Sequence, residues 1–160
     1  MKSATVTELK KELAARPQKE LVELCLQLSK FKKENKELLT YLLYEAEDEA
    51  SYIENVKTEM DEQFEEINKS TFYFIKKSVR KILRATKKYI RYSKQKETQV
   101  ALMLHFCLRL QEFRPSIKKN VPLMNLFTRE VNGIKKAYAG LHEDLQFDYQ
   151  SALNEIENSL

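Results

Sequence analysis

The sequence contains few of the residues that interrupt helices. Glycine occurs twice and proline three times in 160 residues, against usual shares of roughly 7% and 5%. Barrels, sandwiches and doubly wound sheets turn often and need more of both residues. Gly133 and Gly140 alone cannot form a glycine-rich phosphate loop. With 32% charged and 42% hydrophobic residues, the composition is typical of a long-helix protein. We therefore expect an all-α fold.

Long apolar segments are also missing. The most apolar stretch, residues 100–110, is interrupted by His105 and Arg109. The sequence therefore lacks the run of about 18 apolar residues that a membrane-spanning helix needs. The amino terminus lacks the apolar core and cleavage pattern of a secretory leader. These features predict a cytoplasmic protein without membrane insertion.

Histidine and cysteine are scarce, which limits the chemistry available to an active site. His105 and His142 have no glutamate three residues before them, so the ligand pattern of a di-iron bundle is absent. Cys25 and Cys107 form no CxxC pair and lie on apolar helical faces, which favours two buried thiols over a disulfide. No third group orients either cysteine with His105. We expect no catalytic residue, no metal ligand and no cofactor, and hence a protein that is not an enzyme.

Local signals place several helix boundaries. Thr5 and Glu8 have the spacing of a capping box, and Pro17 suits the first position of the next helix. Polar segments at residues 68–71 and 93–96 predict two further breaks. Residues 100–113 are apolar on nearly all sides, which is typical of a central buried helix.

These boundaries predict about six or seven helices in one domain, residues 1–160. Short helices occupy residues 1–37, a long charge-segregated helix or helical hairpin occupies 38–96, and the C-terminal helices occupy 97–160. Their connections favour a multi-helix, mostly antiparallel bundle with the long helix or hairpin at its centre.

A heptad repeat runs through the predicted long segment. Its apolar positions recur every seven residues, whereas the companion positions are only partly apolar. The pattern resembles a bundle helix or a short coiled coil more than a leucine zipper. We predict an interaction seam at these positions: Leu39, Ala46, Ile53, Met60, Ile67 and Phe74.

Charge is strongly segregated although the net charge is only +4. Residues 45–69 hold ten acids and two bases, and residues 70–96 hold ten bases and no acid. On a helix, most of these bases form a stripe beside an apolar face, with Tyr73, Tyr89 and Tyr92 nearby. The candidate phosphate contacts are Lys77, Arg80, Arg84, Lys87, Lys88 and Arg91.

Three interpretations of the basic stripe stay open. It is a solvated face or the partner of the acidic segment, should residues 45–66 fold back on residues 70–92. Alternatively, it contacts nucleic-acid phosphates with little sequence preference. In the third interpretation, the stripe binds an anionic membrane or an acidic protein surface.

Residues 23–46, ELCLQLSKFKKENKELLTYLLYEA, resemble an all-helical bacterial protein family to which no function is assigned. The resemblance implies a helical fold and supplies no site. From the residues themselves, the preferred function is that of a non-enzymatic helical interaction or scaffold protein. We expect it to bind other proteins and to associate with itself as a homo-oligomer. The alternative is a nucleic-acid-associated protein that uses the basic helix, residues 76–91.

Overall fold

Eight α-helices make up most of residues 1–159, the part of the chain that the computed structural model describes. No strand occurs in these residues, and the expected all-α class is confirmed. A π-helical turn, Tyr41–Glu45, follows α3, and a 3₁₀ turn, Ile117–Lys119, precedes α7. The helices are α1 Val6–Ala14, α2 Gln18–Phe31, α3 Lys33–Thr40, α4 Glu49–Glu65, α5 Phe72–Ser93, α6 Lys96–Glu112, α7 Val121–Ala139 and α8 Glu143–Glu157.

The chain divides into two compact units, Met1–Tyr44 and Glu45–Leu160, where the sequence predicts a single domain. The reason is the distribution of buried apolar surface. Nearly all of the buried apolar side chains belong to the second unit, whereas α1, α2 and α3 bury none.

The N-terminal unit is held together mainly by local contacts. The capping box of α1 is present, with Glu8 N donating to Thr5 Oγ1 and Thr5 N donating to the Glu8 carboxylate. Asn35 Nδ2 donates to the Leu28 carbonyl at 2.8 Å, which links α3 to α2. The expectation that Cys25 is buried is wrong, because the side chain is exposed. Periodicity identifies the apolar face of α2 but not whether another element covers it.

The second unit is organised around α6, as the apolar composition of residues 100–113 predicts. Helices α4, α5, α7 and α8 all pack against α6. Its fully buried side chains include Val100, Leu102, Phe106 and Leu110. Phe64 of α4 packs against Phe106 with ring centroids 5.7 Å apart and the ring planes tilted by 50°, so the acidic helix is anchored to the core by its apolar side.

Residues 49–93 form an antiparallel helical hairpin, not one rod. Tyr52 of α4 donates its hydroxyl hydrogen bond to the Tyr89 carbonyl near the end of α5, at 2.9 Å. The predicted breaks at residues 68–71 and 93–96 are both present. A third break, residues 41–48, is absent from the sequence prediction. Asp48 caps α4 there, because Ser51 N donates to its Oδ1 at 3.1 Å, and these Ser51 hydrogen bonds lower the pKa of Asp48.

The six heptad positions lie on several elements and differ in exposure. Leu39 lies on α3 and Ala46 lies between helices. Met60 and Ile67 are part of the hydrophobic core of the second unit. Ile53 is also buried, whereas Phe74 is 41% exposed on α5.

Candidate nucleic-acid interface

The long helix α5 separates its apolar and basic residues cleanly. Its apolar side, with Ile75, Val79, Ile82 and Leu83, is buried in the core. Thr71 caps the helix, since Phe74 N donates to Thr71 Oγ1. The basic residues therefore project from the side that the core leaves uncovered.

A groove lies between the exposed sides of α5 and α7, both of which rest on α6. It encloses about 720 Å³. A second depression of about 610 Å³ continues it along α7, and the two share Lys87 and Arg129. We call the two together the basic groove. Its basic lining residues are Lys76, Lys77, Arg80, Arg84, Lys87, Arg129 and Lys136.

Most of the α5 bases in the groove are not neutralised within the chain. Among residues 1–159, Lys76, Lys77, Arg80 and Arg84 have no carboxylate partner. The acids of α4 bind elsewhere. Asp61 contacts His105 and Arg109 of α6, and Glu59 accepts a hydrogen bond from Tyr89 Oη at 2.9 Å.

Glu130 is the acid that lines the basic groove within the described chain. Its carboxylate forms ion pairs with two bases: Oε2 lies 2.8 Å from Lys87 Nζ, and Oε1 lies 3.1 Å from Arg129 Nε. The side chain is buried, so the groove presents a positive surface to solvent. Burial raises the pKa of the nearby Cys107 thiol, and the Glu130 charge adds to this effect. Cys107 is therefore an inert core residue.

The structure brings together four of the six candidate phosphate contacts. Lys77, Arg80, Arg84 and Lys87 line the basic groove, whereas Lys88 and Arg91 do not. Lys88 Nζ lies 5.1 Å from the centre of the Tyr89 ring.

Of the three tyrosines near the stripe, Tyr73 lines the groove and is 65% exposed. Tyr89 hydrogen-bonds to Glu59 and packs against Tyr92 with ring centroids 6.2 Å apart. Tyr73 is thus the tyrosine of the three that lines the groove, and its ring contacts the Phe74 ring edge to face with centroids 5.4 Å apart.

Sequence reasoning missed the contribution of α7. Arg129 and Lys136 lie two turns apart on that helix, and with Gly133 between them they share one side. That spacing is readable from the sequence. Which helix lies opposite is not, because it depends on how α5 and α7 cross α6.

Both histidines have hydrogen-bond partners within the second unit. His105 Nε2 lies 2.7 Å from Asp61 Oδ1, which joins α6 to α4. His142 caps α8 by accepting a hydrogen bond from Asp144 N through Nδ1, at 3.3 Å. Among residues 1–159 no group of three or more His, Cys, Asp or Glu side chains is arranged to hold a metal ion.

Comparisons with protein-family models, curated proteins and solved structures give no significant match. Within residues 1–159, every helix is too short or too polar to span a bilayer.

Proposed function

We propose that this chain binds the phosphate backbone of nucleic acids along the basic groove, with little preference for base sequence. The observation that carries the proposal is the unpaired state of Lys76, Lys77, Arg80 and Arg84, which line the groove and have no carboxylate partner in the described chain. The sequence leaves open whether the acidic segment neutralises these bases. Glu59 contacts Tyr89 and Asp61 contacts His105, so neither acid neutralises the groove, and this favours the nucleic-acid alternative.

The dimensions of the groove support this ligand. From Tyr73 to Lys87 the helix rises about 21 Å, at about 1.5 Å per residue. One strand of a duplex carries a charge every 3.4 Å or so, which gives about six phosphates over that length. Arg129 and Lys136 add charge from the opposite wall. Tyr73, at one end, offers a ring on which an unpaired base can stack.

The burial of the apolar side of α5 argues against a lipid surface as the ligand. Amphipathic helices bind membranes by inserting apolar side chains below the headgroups. Ile75 and Val79 are wholly buried in the core, so the main apolar side of α5 is not available for insertion. A polyanion that stays in water fits the site better, and nucleic acid suits the cytoplasmic location that the sequence predicts.

The test is a pair of double charge reversals on α5 with equal change in net charge. Arg80→Glu with Arg84→Glu reverses two groove residues. Lys81→Glu with Arg91→Glu reverses two exposed residues of the same helix outside the groove. We expect the first variant to lose binding to a labelled duplex and a single-stranded RNA, and the second to bind within about threefold of the parent. Equal losses in both variants would contradict a localised site.

A second candidate function is that of a non-enzymatic interaction protein, the preferred interpretation of the sequence. The predicted heptad seam does not support it well, because Ile53, Met60 and Ile67 are buried within the second unit. The observation that favours it is the apolar surface of the N-terminal unit. There, Leu28 and Phe31 are 63% and 77% exposed on one face of α2.

A further inference from the structure

The N-terminal unit contains an apolar groove between α1 and α2. Its volume is about 1110 Å³. Five large apolar side chains line it, and each keeps 40% or more of its surface exposed. These residues are Leu9, Leu13, Leu24, Leu28 and Phe31.

The charged residues along this groove are not equally satisfied. Arg16 lies between Glu12 and Glu20, at 3.6 Å and 3.3 Å. Glu23 and Lys30 also line the groove, yet neither has an ion-pair partner in residues 1–159. They lie seven residues apart on α2, almost two full turns, so they share one side of the helix about 10.5 Å apart.

We propose that the apolar groove is the interface of a homodimer in which α2 packs antiparallel against α2 of a second copy. An antiparallel copy centred between residues 26 and 27 brings Glu23 beside Lys30 of the second copy, and the two-fold axis repeats the pair. The same register brings Leu24 within one residue, about 1.5 Å along the helix axis, of the position that lies opposite Leu28 of the second copy. The sequence of α2 is thus complementary to itself in charge and in apolar surface.

This inference deepens the second candidate function by naming the partner, and it is independent of nucleic-acid binding. A second copy also answers a physical need. A unit of about 40 residues rarely buries enough apolar surface to be stable without a partner, a disulfide or a metal. The exposed face of α2 is the surface that such a partner would cover.

The first test is a charge swap read by sedimentation equilibrium of the full chain. Glu23→Lys alone or Lys30→Glu alone turns two attractive pairs into two repulsive ones, so we expect the dimer to dissociate roughly tenfold more readily. The double variant Glu23→Lys with Lys30→Glu restores the pairs and the parent dissociation constant. Lys19→Glu, on α2 but outside the groove, is the matched control and leaves the dimer unchanged.

The second test is a cross-link that does not depend on charge. Gln27 lines the groove beside the proposed axis, so Gln27→Cys in a Cys25→Ser background should form an intermolecular disulfide under mild oxidation. Lys19→Cys in the same background should not, since the antiparallel register separates the two copies of that position by about 22 Å. Circular dichroism of each variant verifies the helical content.

A chain that stays monomeric at high concentration overturns the dimer, even if it captures some other protein. Loss of dimer in both single variants without recovery in the double variant overturns the antiparallel register. If the monomer still binds nucleic acid with the parent affinity, the dimer fails alone and the function proposed for the basic groove stands.

Discussion

Lys87 Nζ lies 2.8 Å from Glu130 Oε2, and this ion pair joins α5 to α7 across the basic groove. The Glu130 side chain is 6% exposed, whereas 46% of the Lys87 side chain remains in solvent. The ion pair holds Lys87 in position in the groove, and the Glu130 carboxylate partly neutralises the Lys87 charge.

Glu130→Gln should strengthen nucleic-acid binding and slightly weaken the fold. Removing one negative charge near a phosphate changes the binding free energy by about 1 kcal/mol, or roughly fivefold in affinity. Because about half of the Lys87 side chain is in solvent, losing its partner leaves no buried charge. We therefore expect the free energy of unfolding to fall by only about 1–2 kcal/mol. Titration of a labelled duplex and urea denaturation measure the two effects. Weaker binding would show that Glu130 acts mainly by positioning Lys87.

Met60→Ala and Phe74→Ala test where the heptad positions lie. Met60 is buried in the core, so its truncation should lower the free energy of unfolding by about 2–4 kcal/mol. Phe74 is 41% exposed, so its truncation removes less buried surface and should lower the free energy of unfolding by less than about 1.5 kcal/mol. Neither change should alter the mass of the protein in solution. A reduced oligomer mass with unchanged stability in Met60→Ala would restore the seam as an interaction surface.

The contrast between these two residues shows what the heptad pattern could and could not predict. Periodicity identifies apolar positions but does not say what covers them. Helix ends followed from local signals, such as the capping box of Thr5 and Glu8 and the polar segment at residues 68–71. The break at residues 41–48 contains no glycine or proline, and its one local signal, the capping residue Asp48, stands within a run of other acidic residues.

The candidate site was predictable only in part, for the same reason. The basic stripe of α5 is a local property, and four of its six candidate residues line the groove. Arg129 and the partners of the α4 acids depend on how helices distant in sequence cross α6. The sequence shows the charges but not which of them meet.

Tyr149→Phe should change the alkaline stability of the protein. Burial, together with the charge and hydrogen bond of Glu97, raises the pKa of Tyr149 from 10.0 to about 12. A raised pKa in the folded state gives stability that is complete below pH 10 or so and is lost as the pH rises to about 12. The phenylalanine variant lacks this group, so its free energy of unfolding should fall less steeply over that window. Urea denaturation at pH 9 and at pH 11 gives the free energy of unfolding at each pH. An equal change between the two pH values in the parent and in the variant would contradict the assignment.

Tyr73→Ala should distinguish single-stranded from duplex ligands. A base stacked on an aromatic ring contributes about 1–3 kcal/mol, so we expect the affinity for single-stranded RNA to fall by roughly fivefold or more. Duplex binding should change little, since paired bases cannot reach the ring. Tyr44→Ala, an exposed tyrosine of the N-terminal unit, serves as the control. An equal loss for both nucleic acids would assign Tyr73 to the groove's structure instead.

The most direct test of the central claim is the salt dependence of binding by the unmodified chain. Each phosphate neutralised on a duplex contributes about −0.9 to the slope of log K against log salt. The basic groove predicts measurable binding at low salt and a slope of roughly −4 to −6, corresponding to about five or six contacts along α5 and α7. No binding of duplex DNA or single-stranded RNA even at low salt would contradict the account.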